Sequence, residues 1–439
     1  MNKKGDIMQN IHLFAEQKKT ELLVFDNLEK IESKNLTEKG SAVRLNHGAH
    51  RQVIAISDLS PDSLYFASKH LLSGEQLQLF KHWEPKQEKG FEDNLTDIIE
   101  YWNHQMNDVA LHFSPEIIST RAYWKSVQQH VWFFSTEVGL REDIRPCFML
   151  ELDVLARKNK RTTKSSVTKS WFSPKHVNAT EIEKLVLYAA ESAVDKLHAK
   201  PFRSGTYSLV LGPLAAPGIF HEVVGHGLEA DIAALTGAAF HNSKGERIGS
   251  DKLTIVDDPT SFGLPGSYNI DDEGITAKCT TLVEAGRVSN YLSHLHSKVE
   301  SNGHGRVINY AHPPLVRMSN TFVLPGEDEP EELILETKSG IYIKNAFNGD
   351  VNMITGEFKI HVTEGYLIED GKLTTPIMPS ILQGDGRTLL RSIDRVGNDF
   401  QIHAEVRGGC GKLGQSPLPV SAGSPTVRVL DWEVQAVDS

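Results

Sequence analysis

Hydrophobic and polar residues alternate over several segments in the first half of the chain, a spacing that is typical of half-buried strands. Short strands are predicted at residues 22–25 and 51–56, and longer strand-like runs cover 132–157. The basic segment 157–164 comes next, and we expect it to form a solvated hairpin tip.

Three other segments in the same half predict helices, over residues 60–72, 93–107 and 180–197. Ser60 is suited to cap the first of them, and Thr180 with Glu183 fits a capping box at the start of the third. The first 200 residues are therefore predicted to mix helices and strands.

The second half is predicted to be mostly β-structure. A strand at 207–211 leads through a Gly-Pro pair into a helical segment at 220–231, and hairpin turns are expected at 284–287 and 369–372. We therefore expect an α+β fold, with an N-terminal mixed α/β domain at 1–200. A β-rich C-terminal domain of mainly antiparallel sheet is expected at 201–439.

Composition narrows the class of protein. The chain has 439 residues, 39% of them hydrophobic, which is enough for two or three domains with sizeable cores. Its net charge of −11 disfavours nucleic acid as the main partner. Three widely spaced cysteines favour a reducing compartment over a disulfide framework. Because no export signal is evident and no run of about 18 apolar residues occurs, we expect a cytoplasmic protein without a membrane span.

The helical segment carries the most informative group of side chains, with His221, Glu222 and His226 within one short stretch. Two imidazoles beside a carboxylate are suited to bind Zn²⁺ and to activate water for hydrolysis. Five residues turn a regular α-helix by about 500°, so the two rings would point about 140° apart. A single-turn π-bulge would bring them onto one face, and Gly225 makes that distortion easier. Without it, the histidines would be hydrogen-bonded core residues of a partly buried helix.

A catalytic zinc site usually takes a third protein ligand. Nearby residues that could supply it are Glu229, Asp231 and His241. Cys410 is a further candidate because it lies in a flexible glycine-rich loop where bulky neighbours do not shield the sulfur. The other two cysteines, Cys147 and Cys279, lie in strand-like runs and are expected to be small buried thiols.

Four separated segments of the chain resemble the TldD branch of the TldD/PmbA metalloprotease family, and they occur in the family's order. These are HEVVGHGLEAD at 221–231, GSYNIDDEG at 266–274, YAHPPLVRMSNT at 310–321 and GGCGKLGQSPLPVSAGSPTVRV at 408–429. The likeness runs from about residue 130 to the C-terminus, and the first 130 residues resemble the family only loosely.

The resemblance implies a zinc-dependent peptidase. His221, His226 and Cys410 would bind Zn²⁺, and Glu222 would act as general base on a zinc-bound water. Unfolded or leader-type peptides would be the substrates. In this family the catalytic branch commonly pairs with a metal-less TldE/PmbA-type subunit, so such a partner, or a homodimer, is expected.

Other residues have weaker functional patterns. His312 and Arg317 could bind substrate by orienting a peptide or the oxyanion of the transition state, and Glu229 and Asp231 could fix an imidazole tautomer. The run 271–273 could hold a cation or a substrate amine, but a charged turn is the simpler interpretation.

His294, His296 and His304 are expected at the surface. Two rival functions remain open at this stage. One is a specialised amidohydrolase that trims a biosynthetic peptide or peptide-like metabolite. The other is a non-catalytic regulatory subunit with structural zinc.

Overall fold

The N-terminal part of the protein is built on one large antiparallel sheet. The computed structural model describes residues 11–436 except 48–49, 71, 73, 75–76, 79, 81–82, 84 and 86–94. The expected absence of an export signal and the start of the helix predicted at 93 concern residues outside that range. The strands are β1 (Ile11–Asp26), β2 (Glu29–His47), β3 (His50–Ile56), β4 (Ile117–Ser135), β5 (Gly139–Lys158) and β6 (Arg161–Trp171). They lie in the order β3-β2-β1-β4-β5-β6.

This sheet is buried on both faces at its centre, which explains the continuous apolar run in β5. Phe148, Leu150 and Leu152 pack against the helices of the N-terminal part. The intervening Cys147 and Met149 pack against Val406 of the C-terminal part, because successive side chains of a strand point to opposite faces.

Helices α1 (Pro61–Ser68), α2 (Leu95–Phe113) and α3 (Ala179–Leu197) complete the N-terminal part, with a short 3₁₀-helix at Pro174–His176. Ser60 caps α1 as predicted, since its side chain accepts a hydrogen bond from the Ser63 N–H. The capping box predicted at Thr180 is wrong. The extended residue Asn178 caps α3 instead and accepts from the Glu181 N–H, so Thr180 lies inside the helix.

The C-terminal part contains the remaining elements. Its helices are α4 (Ala216–Phe220), a π-helix (His221–Gly225), α5 (Ala230–Ala233), α6 (Pro330–Leu335) and α7 (Gly386–Arg391). Its strands are β7 (Gly205–Leu214), β8 (Ile255–Asp257), β9 (Thr280–Glu284), β10 (Arg287–Val288), β11 (Gly305–Arg306), β12 (Leu315–Val316), β13 (Asn320–Val323), β14 (Ser339–Val351), β15 (Glu357–Glu369), β16 (Lys372–Pro376), β17 (Ser380–Asp385), β18 (Ile393–Val396), β19 (Gln401–Ala404), β20 (Cys410–Lys412), β21 (Gln415–Leu418), β22 (Ser421–Ser424) and β23 (Val427–Ala436).

Two larger sheets and two small ribbons organise these strands. One sheet has the order β10-β9-β8-β13-β22-β19, and the other has the order β14-β7-β23-β17-β15-β16, with β18 beside β23. The second sheet closes on itself because β14 also pairs with β15. The ribbons are β11–β12 and β20–β21. Among the described ladders, β13–β22 and β7–β14 are parallel and the others are antiparallel.

The hairpin tip predicted at 157–164 joins β5 and β6, and both hairpins predicted in the second half of the chain are also confirmed. β9 and β10 are joined through Ala285 and Gly286, and β15 and β16 through Asp370 and Gly371. All four turn residues have positive φ, which is the conformation required by the tight turn that suits the twist of an antiparallel hairpin.

The fold is α+β, with a strand-rich C-terminal part, as the sequence predicts. The first sheet and α1 to α3 precede residue 200, yet the domain boundary at 200 stays a prediction. Contacts such as the hydrogen bond from Lys125 to the Val406 carbonyl join the two parts. Within the part of the chain that is described, no helix is both long and apolar enough to cross a membrane.

Candidate metal centre and active site

The helix that carries the two histidines is locally a π-helix, as the five-residue spacing predicts. Residues His221–Gly225 form it between α4 and His226. The His226 N–H donates to the His221 carbonyl at 3.2 Å, which is the hydrogen bond of a π-turn. The extra residue per turn brings both imidazoles to one side, where their ring centroids lie 5.4 Å apart.

Buried apolar neighbours hold this irregular turn in place. Phe220, Val223 and Val224 lie in the main core of the C-terminal part, together with residues of β7 and β14. Gly225 is required for close packing, since a Cβ built there would lie 1.8 Å from Sδ of Met318. The glycine therefore lets the chain of Met318 approach the π-helix.

Replacing Gly225 with alanine is expected to destabilise the protein by about 1–3 kcal/mol, the usual cost of overpacking a core. Gly218 is the matched control, because it lies in the adjacent α4 and a Cβ there meets no atom within 4 Å. Denaturant unfolding of Gly225→Ala, Gly218→Ala and the parent protein measures the difference. Equal midpoints for all three would show that Met318 moves aside at no cost.

A hairpin distant in sequence brings a thiol to the two histidines. Cys410 begins β20, and its Sγ lies 3.2 Å from Nε2 of His226, although 184 residues separate them. One ligand atom from each of His221, His226 and Cys410 lies within 4.8 Å of the other two, and all three residues are buried. Two imidazole nitrogens and one sulfur form a donor set that suits a tetrahedral metal ion such as Zn²⁺.

The cluster shifts the pKa of its thiol and the pKa of His226 in opposite directions. Burial alone would raise the pKa of the Cys410 thiol, but the adjacent His226 and His221 hold that pKa well below its usual value. Burial opposes protonation of His226, yet Cys410 and Glu229 hold its pKa well above the usual value. The lowered pKa favours the thiolate form of Cys410, which is the form that binds metal ions, whereas His226 binds a metal ion only as a neutral imidazole.

Glu222 points to the same place without belonging to the three-residue cluster. Its Oε2 lies 4.0 Å from Nε2 of His226, and 21% of its side chain is exposed. Burial raises the pKa of its carboxyl, although the two histidines oppose the shift. A partly shielded carboxylate next to a metal site is suited to accept a proton from water.

Charged groups outside the three-residue cluster hold the His226 ring in place. Oε2 of Glu229 lies 3.2 Å from Nδ1 of His226, so Nε2 is left to face Cys410. Burial would raise the pKa of Glu229, but Lys412 and His226 lower it to about 2. The nearby Asp231 contacts Lys412, not an imidazole. The sequence analysis identified Glu229 as a residue that could fix an imidazole tautomer, but it missed Lys412. In the sequence, Lys412 is marked only by its position two residues after Cys410.

The two predicted substrate-binding residues have different surroundings. Arg317 is fully buried, and it donates hydrogen bonds to the carbonyls of Gln415 and Cys410. These contacts support a role in holding the β20–β21 hairpin and give no support for substrate contact. His312 is half-buried and pairs with Asn309 through Nδ1, and its role stays a prediction.

Several interpretations drawn from the sequence are corrected by burial. Cys147 is buried as expected, but Cys279 is exposed, since it lies in a loop before β9. The run Asp271 to Glu273 forms a turn, as expected, but the turn is buried and its carboxylates accept hydrogen bonds from backbone N–H groups. His304 is also buried, where it contacts the Asp257 carboxylate, and His294 is buried beside Arg51. The nearby candidate ligand His241 instead contacts the Ala233 carbonyl through Nδ1.

Comparison with known proteins places this chain in a family. A family-wide sequence profile, described as the PmbA/TldA metallopeptidase C-terminal domain, matches residues 204–436. The chain is 32% identical to the metalloprotease TldD homolog of Buchnera aphidicola subsp. Schizaphis graminum over 339 residues, covering 74% of this chain and 70% of that protein. It is 33% identical to the TldD homolog of Haemophilus influenzae over 340 residues, covering 74% and 69%.

Solved structures share the overall fold. TldE from Thermococcus kodakarensis superposes with a TM-score of 0.76 at 15% identity, covering 98% of each chain. A candidate modulator of a DNA gyrase from Thermotoga maritima superposes with a TM-score of 0.77 at 19% identity, covering 97% of this chain and 95% of the other. From the profile and the sequence relatives together, the chain belongs to the PmbA/TldD metallopeptidase family and is a metalloprotease.

Proposed function

We propose that the protein is a zinc-dependent peptidase that cleaves unfolded or leader-type peptides, with zinc bound by His221, His226 and Cys410. The observation that carries this proposal is the cluster of two imidazole nitrogens and one cysteine sulfur within 4.8 Å. Nitrogen and sulfur ligands favour zinc over magnesium or calcium, which bind oxygen. Three protein ligands are typical of catalytic zinc, whereas structural zinc usually has four.

When bound, the zinc ion would polarise the scissile carbonyl and make a water molecule more acidic. Glu222 is then the base that takes the proton from the attacking water, and it later gives that proton to the leaving amine. Its place beside His226, outside the ligand cluster, supports this role. Glu229 holds His226 in the tautomer whose Nε2 faces the sulfur.

The end of β14 beside Glu222 supports an extended peptide as substrate. β7 pairs with β14 only as far as Asn345, so beyond that residue β15 is the one strand that pairs with β14 among the described residues. Gly349 lies on this stretch, and a Cβ there would be 3.2 Å from Cγ of Glu222. A peptide added as a further strand would be held by main-chain hydrogen bonds, with little dependence on its side chains.

The partner is proposed by analogy with the family. A metal-less TldE-type subunit would pair with this chain, and a second copy is the alternative. TldE of Thermococcus kodakarensis, whose fold this chain shares, is an example of the kind of subunit proposed.

Zinc content by elemental analysis, together with cleavage of denatured casein and of short defined peptides, tests the function. We expect about one zinc ion per chain and cleavage of casein that a chelator stops and added zinc restores. Cleavage of defined peptides alone would favour the specialised amidohydrolase. Zinc without any cleavage would point to a required partner subunit, and a protein purified without zinc would overturn the proposal.

A further inference from the structure

Lys412 is a buried cation with no assigned part in the site. Only 1% of its side chain is exposed. Its ammonium lies 2.8 Å from Oε2 of Glu229, 2.7 Å from Oδ1 of Asp231 and 3.1 Å from the Val316 carbonyl. An ammonium has three N–H donors, so these three contacts use all of them.

One oxygen links Lys412 to a proposed metal ligand. Oε2 of Glu229 contacts both the Lys412 ammonium and Nδ1 of His226. Glu229 is fully buried, and its other oxygen has no hydrogen-bond partner among the described residues. A buried carboxylate without a counter-ion is costly, so removal of Lys412 would leave Glu229 without the contact that holds it against His226.

The strand that supplies the sulfur also supplies this cation. Cys410 and Lys412 are alternate residues of β20 and are both buried, whereas the intervening Gly411 is exposed. Because alternate side chains of a strand share a face, both point toward the helix of His226. One short strand thus places the Cys410 sulfur beside Nε2 of His226 and the Lys412–Glu229 pair beside Nδ1 of the same ring.

We propose that Lys412 is a positioning residue for the metal centre, which holds Glu229 against Nδ1 of His226 and thereby fixes the direction of Nε2. This inference rests on the proposed function. Outer groups that orient a ligating imidazole typically change metal affinity by about 10–100-fold. Lys412 acts through Glu229 and His226, and it does not touch substrate.

The test is the Zn²⁺ affinity of the chelator-stripped chain, measured by competition with a chromophoric chelator. Lys412→Met is expected to weaken binding by about 10–100-fold. Lys344→Met is the matched control, because Lys344 is also buried and pairs with a buried glutamate, Glu364, at 3.0 Å in a contact outside the metal cluster. The control should keep the affinity of the parent protein even if both variants lose thermal stability.

A second variant separates positioning from simple stabilisation. Lys412→Met combined with Glu229→Gln removes both charges and keeps an oxygen that accepts from Nδ1, so its affinity should recover to within a few-fold of the parent. This pair also remains informative if Lys412→Met alone does not fold. The Co²⁺-loaded Lys412→Met protein should keep its thiolate charge-transfer band and shift its d–d bands.

Three outcomes can be distinguished. Parent affinity and an unchanged Co²⁺ spectrum in Lys412→Met would overturn the positioning role. No recovery in the double variant would also overturn it, because the effect would then not pass through Glu229. If the parent chain binds neither Zn²⁺ nor Co²⁺, the proposed function fails first, and that result is separate from a failure of the Lys412 inference.

Discussion

The Glu222→Gln variant should retain its metal and lose its peptidase activity. Glutamine has the shape of glutamate, and Glu222 lies outside the cluster formed by His221, His226 and Cys410. Its amide cannot accept the proton of the attacking water, and general acid–base groups typically contribute about 10²–10⁴-fold to the rate. The rate of casein cleavage should therefore fall by about 10²–10⁴-fold, while elemental analysis still finds zinc.

Glu405 provides a demanding control for this experiment. It is another partly shielded carboxylate, which pairs with His403 at 3.5 Å, and His403 and, to a smaller extent, His221 lower its pKa. Glu405→Gln should keep most of the activity. If Glu222→Gln keeps full activity and Glu405→Gln loses it, Glu405 is the general base. If both variants keep full activity, the proposed mechanism is wrong.

Replacing Cys410 with alanine should remove the metal and, with it, the activity. The substitution takes away one of three ligand atoms and leaves two imidazoles, too few to hold zinc against dialysis. We expect near-zero zinc by elemental analysis and no chelator-sensitive cleavage. Cys410→Ser should behave in the same way, because a neutral hydroxyl is a poor zinc ligand.

Cys147 is the matched control for this substitution. Both cysteines are 6% exposed, but Cys147 packs against Met149 and Val406, and burial raises its pKa to about 12, so it is a neutral thiol. Cys147→Ala should therefore cost some stability and keep its zinc. Unchanged zinc content in Cys410→Ala would exclude that residue as a ligand.

Much of the fold and of the centre could be predicted because the relevant signals are local. The π-turn is a consequence of the five-residue spacing of His221 and His226 on a helix. Both hairpins predicted in the second half of the chain have glycine at a position that needs positive φ. Cys410 was one of several candidate ligands until the family resemblance favoured it, since no local pattern joins residues 184 apart.

Other features depend on packing between distant segments, and the sequence contains no local sign of them. The reason for glycine at 225 is Met318, which arrives from another part of the chain. Lys412 and Arg317 have charges that are expected at the surface, yet both are buried because acceptors from other elements surround them. Buried charges of this kind become predictable only when the neighbouring elements are known.

The long separation of Cys410 from the histidines also bears on when the enzyme can become active. During synthesis the π-helix emerges well before the β20–β21 hairpin, so a nascent chain carries two imidazoles and no third ligand. A zinc ion held by all three groups would then act as a late cross-link that closes a very long loop, and it would stabilise the folded chain because the complete site exists only there. Peptidase activity would thus arise only after nearly the whole chain has folded. An incomplete chain on the ribosome would then be protected from cleavage by its own active site.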